Sequence, residues 1–214
     1  MIKLYGYFRS SAAYRVRIAL NLKNIPYADA FVRLAKGEQH KAYALLNPQK
    51  LIPALETDGE VLTQSLAIIE YLEETHPAPP LLPQDPLGRA RIRAIALHVA
   101  CDIHPLNNLR VLKYLVGPLG ASEDEKLAWY RHWIKEGLDA IEAMLARDPA
   151  TGTFCHGTRP TLADVCLVPQ VANARRFECP LDAYPTIRRI EAACLALSAF
   201  AKASPGNQPD ADGA

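Results

Sequence analysis

Between Pro77 and Pro86 the chain reads PAPPLLPQDP, five prolines in ten residues. Proline fixes φ, lacks the N–H that a helix or a central strand uses, and pushes the residue before it toward an extended conformation. No regular element crosses such a stretch. Residues 77–88 are therefore expected to link two domains, 1–76 and 89–214, and the hydrophobic pattern on either side can be read by itself.

Ahead of the linker the pattern alternates between strand and helix. Residues 2–7 (IKLYGY) suit a strand, and the YRVRIALNLK stretch places Val16, Ala19 and Leu20 at helical spacing. Pro26 ends that helix. Residues 27–34 alternate well enough for a second strand, and 38–46 suits a short helix stopped by Asn47-Pro48. Asp58-Gly59 between PALET and EVLT is the strongest hairpin signal in the chain, and a further helix opens at Ser65. The order is βαβ-α-ββα. After the linker every periodic segment is helical: 89–116, 123–145, 161 to about 177, and 184–203. Pro105 should break the first of these near Asp102 to Asn108. Thr161 with Asp164 three residues on reads as a capping box, and the tail SPGNQPDADGA reads as frayed or loosely packed. The fold class is an α/β domain followed by an all-α one.

Composition narrows the function classes. The chain has 214 residues, half of them hydrophobic, and a formal net charge of +1 with acids and bases interleaved, which gives no sequence-wide field for nucleic acid or a membrane surface. No apolar run approaches the roughly 20 residues of a membrane span. The start at Met1 lacks a secretory pattern, so the expected location is cytoplasmic. Cys101, Cys155, Cys166, Cys179 and Cys194 are widely spaced, with no metal or redox spacing, and are expected as reduced, buried thiols with no metal site.

Four segments in order, FRSSAAYRVRIAL from Phe8, ALLNPQKLIPAL from Ala44, QSLAIIEYLEE from Gln64 and TLADVCLVPQV from Thr161, resemble the zeta class of the glutathione transferases. That family includes maleylacetoacetate and maleylpyruvate isomerases. The resemblance runs from Ile2 to about Asp210 and implies a thioredoxin-like glutathione-binding domain, an all-helical substrate-binding domain and a homodimer. It also implies glutathione as cofactor and a small dicarboxylate keto acid as substrate, isomerised from maleyl to fumaryl by reversible addition of the glutathione thiolate.

The residues themselves allow a plainer reading beside each implied role. Ser10 and Ser11, at a helix start, are N-caps on residue type alone. A helix N-terminus also stabilises an anion placed beside it, and the resemblance makes Ser10 the partner of the glutathione sulfur, with Ser11 the second choice and Arg9 beside them. Ala12 stands where the family motif usually has cysteine. An X-Pro bond such as Ile52-Pro53 is ordinarily trans; the resemblance implies a cis Pro53 and a backbone pairing of Ile52 with the cysteinyl part of glutathione. Gln64 and Ser65 are implied for the γ-glutamyl carboxylate and His40 or its neighbour Gln39 for the glycyl end, while His104 and Asn108 are candidates to line the site. Arg9, Arg110, Arg175 and Arg176 would each pass singly as surface residues. Guanidinium forks suit a dicarboxylate, and the resemblance groups these four around the substrate. Two rivals stay open on sequence: conjugation or dehalogenation of small electrophilic acids by the same thiolate, and a noncatalytic glutathione-binding module.

Overall fold

The computed structural model describes residues 1–211. The chain forms two compact units, one of residues 1–80 together with the chain from Leu195 onward, the other Leu81–Cys194.

In the first unit, β1 (Ile2–Gly6), α1 (Ser11–Leu22), β2 (Tyr27–Phe31), α2 (Tyr43–Leu46), β3 (Ala54–Thr57), β4 (Glu60–Thr63) and α3 (Ser65–Thr75) follow in order. The sheet order is β2-β1-β3-β4, with β2 parallel to β1 and the hairpin antiparallel to it. The βαβ-α-ββα order expected from the sequence is present. Period-two alternation sends Leu4 and Leu55 into the core. The opposite face holds a cluster of Val32, Tyr43, Ile52 and Ala54, with Tyr5 and Val61 packed against it. Lys23, after α1, is buried with three acceptors on its Nζ: Glu73 at 2.7 Å, the His76 carbonyl at 2.7 Å and the Pro79 carbonyl at 3.0 Å. The ammonium thereby satisfies all three of its donors and ties off the end of α3.

Three local expectations change here. β2 stops at Phe31 rather than Leu34, because β1 supplies ladder partners only through Gly6. The helix expected over 38–46 is one 3₁₀ turn, Glu38–His40, and the single turn of α2. A further 3₁₀ turn, Leu34–Lys36, precedes it, and Gly37 between the two turns has φ 68°, a left-handed conformation that interrupts a helix. Lys41 leaves the helical region before α2 begins. The tail expected to fray from Ser204 is ordered through Ala211, in the turns Pro205–Asn207 and Pro209–Ala211, which with α9 (Ser198–Ala203) belong to the first unit; positions 212–214 of that tail lie outside the described residues. Tyr14 Oη donates to the Phe200 carbonyl at 3.3 Å, and Asn21 to the Ala199 carbonyl at 3.0 Å. The assignment of everything after residue 88 to the helical domain therefore differs from the observed grouping, since Phe200 and Ala203 are core residues beside α1.

The second unit contains α4 (Pro86–Leu97), α5 (Leu109–Val116), α6 (Glu123–Arg147), α7 (Leu162–Arg176) and α8 (Pro185–Leu195). Asp85 caps α4 by accepting from Gly88 N–H at 2.6 Å, with Pro86 at the first helical position. The break expected at Pro105 is present and wider: a π turn over His98–Ile103 and a 3₁₀ turn over His104–Asn107 separate α4 from α5. At Gly137 of α6 an added Cβ would lie 2.2 Å from Ile103 Cδ1, so only glycine admits that close approach. The stretch 184–203, expected as one helix, is α8 and α9 parted by an extended Leu197.

Candidate active site

Sheet register gathers the first set of candidates. Tyr5 of β1 pairs with Ala54 of β3, and Ala54 with Thr63 of β4. Tyr5 lies near the end of its strand, Ala54 at the start of β3 and Thr63 at the end of β4. The segments that follow Tyr5, precede Ala54 and follow Thr63 consequently leave the sheet at one end. They carry Ser10, Ile52-Pro53 and Gln64-Ser65. Residues some 55 positions apart in sequence are thus brought together by topology alone, at the strand ends where α/β sheets bind ligands.

Ser10 is the N-cap of α1. Its backbone is extended, and its Oγ accepts from Ala13 N–H at 3.1 Å. The first turn of α1 contains no acidic residue, so the partial positive charge of the helix start is not neutralised by a carboxylate of that turn. Ser10 Oγ has spent acceptor capacity on Ala13 and keeps its O–H hydrogen for another partner. Ser11 is the first helical residue and is buried. Arg9 is exposed, its guanidinium carbon 4.8 Å from the centre of the Phe8 ring. Cap and anion socket are compatible uses of the same serine.

The Ile52-Pro53 bond is cis, as the resemblance implied, and it stands directly before β3. At the start of α3, Gln64 has φ 68° and ψ 117°, a backbone region costly for a residue with a Cβ. Its Nε2 donates to Gln49 Oε1 at 2.8 Å. Ser65 is the first helical residue rather than the cap. Its buried Oγ accepts from Arg15 Nη1 at 3.3 Å. A guanidinium can only donate, so this contact makes the Ser65 hydroxyl a donor to whatever lies beyond it. The first turn of α3 again lacks an acid. His40 is exposed on its 3₁₀ turn while Gln39 is buried, with Oε1 lacking a hydrogen-bond partner among the described residues.

Arg15 was missed by sequence reasoning. The periodicity of α1 suggests one apolar face, yet the helix is buried nearly all round, and both Arg15 and Arg17 are 2% exposed. The legible signal was two arginines flanking Val16 in an otherwise apolar helix, because a buried charge needs a structural or functional partner.

The second unit holds the other candidates. Asn108 caps α5, its Oδ1 accepting from Arg110 N–H at 3.1 Å. Arg110 is exposed, and His104 is half-buried on the 3₁₀ turn before Asn108. Arg175 is removed from the substrate set: its Nε donates to Glu191 Oε1 at 3.1 Å and its Nη2 to the other carboxylate oxygen. That bidentate fork is filled by a carboxylate of the chain itself. Arg176 remains exposed, 5.1 Å over the Phe177 ring. Phe177 stacks on Tyr130 at 3.6 Å, and Tyr130 Oη donates to Asn173 Oδ1 at 2.6 Å. Burial pushes the Tyr130 hydroxyl well above its usual pKa, so it stays neutral and a donor. Arg176 is therefore carried on a stacked aromatic shelf anchored to α7.

Comparison with known proteins identifies the family. Residues 4–80 match the family described as glutathione S-transferase, N-terminal domain, and residues 133–198 the C-terminal domain. A probable maleylacetoacetate isomerase of Vibrio cholerae is 55% identical over 97% of both chains. A maleylpyruvate isomerase of Ralstonia sp. is 54% identical over 98% of this chain and 99% of its own. Among solved structures, the holo form of a bacterial zeta-class maleylpyruvate isomerase superposes with a TM-score of 0.96 at 54% identity, covering 97% of this chain and 99% of that one. The maleylacetoacetate isomerase of Methylobacterium extorquens AM1 with bound malonate and glutathione gives 0.95 at 46%, covering 98% and 99%. That of Anaeromyxobacter dehalogenans with bound dicarboxyethyl glutathione and citrate gives 0.89 at 44%, covering 100% and 94%. Both domain matches, the near-complete coverage at over half identity and the shared fold lead to one conclusion: this chain belongs to the glutathione S-transferase family, in the zeta-class group that holds the maleylacetoacetate and maleylpyruvate isomerases.

Proposed function

We propose that the protein is a glutathione-dependent cis–trans isomerase of maleyl keto acids, maleylpyruvate or maleylacetoacetate, and that it works as a homodimer. The observation that carries this reading is the pair of helix starts at one end of the sheet, each opened by a serine with a hydroxyl hydrogen to give and neither containing an acid of its own. A tripeptide bearing one thiolate and one γ-glutamyl carboxylate fits two such sites. A relative with malonate and glutathione bound, and one with dicarboxyethyl glutathione and citrate, support the same assignment.

In this reading Ser10 and the start of α1 hold the sulfur and favour its ionised form, because both interactions act on the charged species alone. Ile52 offers its backbone to the cysteinyl residue, and Gln64 and Ser65 take the γ-glutamyl carboxylate. When bound, glutathione supplies the nucleophile, whose reversible addition makes the substrate's double bond single for long enough to rotate and regenerates the tripeptide. Arg9, Arg110 and Arg176 hold the substrate carboxylates and offset the negative charge that builds up during reaction; Arg175 is left out because Glu191 occupies it.

The test is calorimetric titration with glutathione, followed by the loss of maleylpyruvate or maleylacetoacetate absorbance with and without it. Conversion that depends on glutathione without consuming it is expected. Stoichiometric loss of glutathione would indicate conjugation, and binding without turnover of either substrate a noncatalytic module. Ser10→Ala is expected to lower kcat roughly 100-fold, as loss of a preorganised donor to a developing or fixed anion does, while moving glutathione affinity far less.

A further inference from the structure

The turn that carries Ser10 is tied to the other end of the chain. Phe8, two residues earlier, has both backbone polar groups bound by side chains. Its N–H donates to Asp210 Oδ2 at 3.0 Å, across 202 positions, and its carbonyl accepts from Arg17 Nη2 at 3.2 Å. Arg17 Nε donates in turn to the Ala203 carbonyl at 2.9 Å. Ser10 N–H closes the turn on the Tyr7 carbonyl at 2.9 Å. Phe8 is only 7% exposed, so neither of its backbone groups can fall back on bulk water at no cost. The acceptor on the N–H side has to come from the protein, and the chain sends it from its far terminus.

Asp210 is itself held in place. It lies on the turn Pro209–Ala211, directly after Gln208, whose buried Nε2 donates to the carbonyls of Lys202 at 2.8 Å and Ser204 at 2.9 Å. Asp210 Oδ1 is buried with no hydrogen-bond partner among the described residues, leaving the nearby Arg17 charge as what offsets its burial. Burial lowers the Arg17 pKa from its usual value, and the surrounding acids, Asp210 and Asp29, oppose that shift. The tail thus brings a carboxylate beside a buried guanidinium instead of leaving it in open solvent.

We propose that the C-terminal turn is a latch on the catalytic turn, with Asp210 acting as a positioning residue that fixes Ser10 through Phe8. The latch rests on the assignment of Ser10 to the glutathione sulfur. Its effect is on placement: a hydroxyl aimed at a sulfur loses most of its value when the turn beneath it can shift by a fraction of an ångström to an ångström.

The experiment compares the wild type with Asp210→Ala, Asp210→Asn and Ser10→Ala, all full length and loaded with glutathione. The ultraviolet absorbance of the bound thiolate is followed against pH, alongside kcat and glutathione affinity. Asp210→Ala is expected to raise the pH midpoint of the bound thiol by about half a unit to one unit and to lower kcat about 3- to 10-fold, with affinity changed less than about twofold. Asp210→Asn keeps an oxygen acceptor for Phe8 N–H and should return both readouts to the wild-type values. A chain ending at Gln208 retains that residue's own bonds and should match Asp210→Ala. A midpoint and kcat at wild-type values in Asp210→Ala, or in the shortened chain if the point variant does not fold, overturn the latch whatever happens to Tm. A midpoint unmoved in Ser10→Ala overturns the assignment of Ser10 instead, so the two failures are read from different proteins.

Discussion

Helices α1 and α3 of the first unit and α6 and α7 of the second begin with the same kinds of residue and end up with different electrostatics. In the second unit, α6 and α7 each carry an acid of their own. Ser122 N–H and Oγ both contact Glu125 Oε2, at 2.8 and 2.9 Å, and Ser122 Oγ accepts from Glu125 N–H at 3.2 Å. Thr161 N–H and Oγ1 reach Asp164 Oδ2 at 2.8 Å each, while Cys155 N–H donates to Asp164 Oδ1 at 2.8 Å. In the first unit, α1 and α3 have no acid in the first turn. Three residues past the cap stand Glu125 and Asp164 in the one case, Ala13 and Ala67 in the other. A helix start closed by its own carboxylate has that partial charge already offset; one left open still has it to offer to an anion. The serine or threonine alone does not distinguish the two.

The sharpest way to break this contrast is Asp164→Ala. It deletes an entirely buried carboxylate and strands the donors of Cys155 and Thr161, each costly to leave unpaired. A loss of about 3–5 kcal/mol is expected, a fall in Tm of about 10 °C for a chain of this size. Glutathione affinity of the folded protein should not change. Thermal unfolding and calorimetry check both halves, and a variant that binds glutathione poorly while staying stable would mean the closed helix starts serve the ligand as well.

A smaller effect is expected at the open start of α3. Arg15→Met removes the donor that polarises Ser65 and the positive charge behind the proposed carboxylate subsite. Glutathione Kd should rise about tenfold, roughly 1.4 kcal/mol, with kcat at saturating glutathione nearly unchanged. Ser65→Ala added to Arg15→Met should cost less than it does alone, because the two share one contact. Full additivity, measured in a double-mutant cycle, would mean Arg15 acts on the fold rather than on Ser65.

Legibility followed the same contrast. Local chemistry announced the elements: the Asp58-Gly59 hairpin, the Pro105 break and the Thr161–Asp164 box all form as the residues indicate. The serines at 10 and 65 were also visible, and family motifs pointed to the cis bond at Pro53 that the residues alone made improbable. Long-range burial was not visible. Nothing near Arg15 or Arg17 in sequence says that both are enclosed: the Phe8 carbonyl that Arg17 also meets is close in sequence, but their partners on α3 and α9 are 50 and 186 positions away. The tail looked frayed because its Pro, Gly, Asn and Asp content is that of a loop, whereas its order comes from acceptors and donors on α1 and Phe8. Arg175 illustrates the converse: its partner Glu191 lies 16 residues on in another helix, so its charge looked available in sequence and is not.

The mildest test of the contrast is at the other closed start. Ser122 and Glu125 lie at the surface, where a capping box contributes little. Ser122→Ala should lower Tm by only about 2–4 °C and leave thiol acidity and glutathione affinity alone. The pH dependence gives the sign. The Ser122 backbone N–H, and then its hydroxyl, hold the Glu125 carboxyl below its ordinary value of 4.5. A carboxylate with a depressed folded pKa adds stability that is fully present above the unfolded value and is lost as pH falls through the folded one. The Tm gap between the wild type and Glu125→Gln should therefore be widest at neutral pH and close as pH drops below about 4.5. For Ser10→Ala the thiolate signal should move near neutrality instead, since the anion there belongs to the ligand. A Ser122→Ala variant with altered thiolate titration would erase the distinction between helix starts that hold their own acid and those that wait for one.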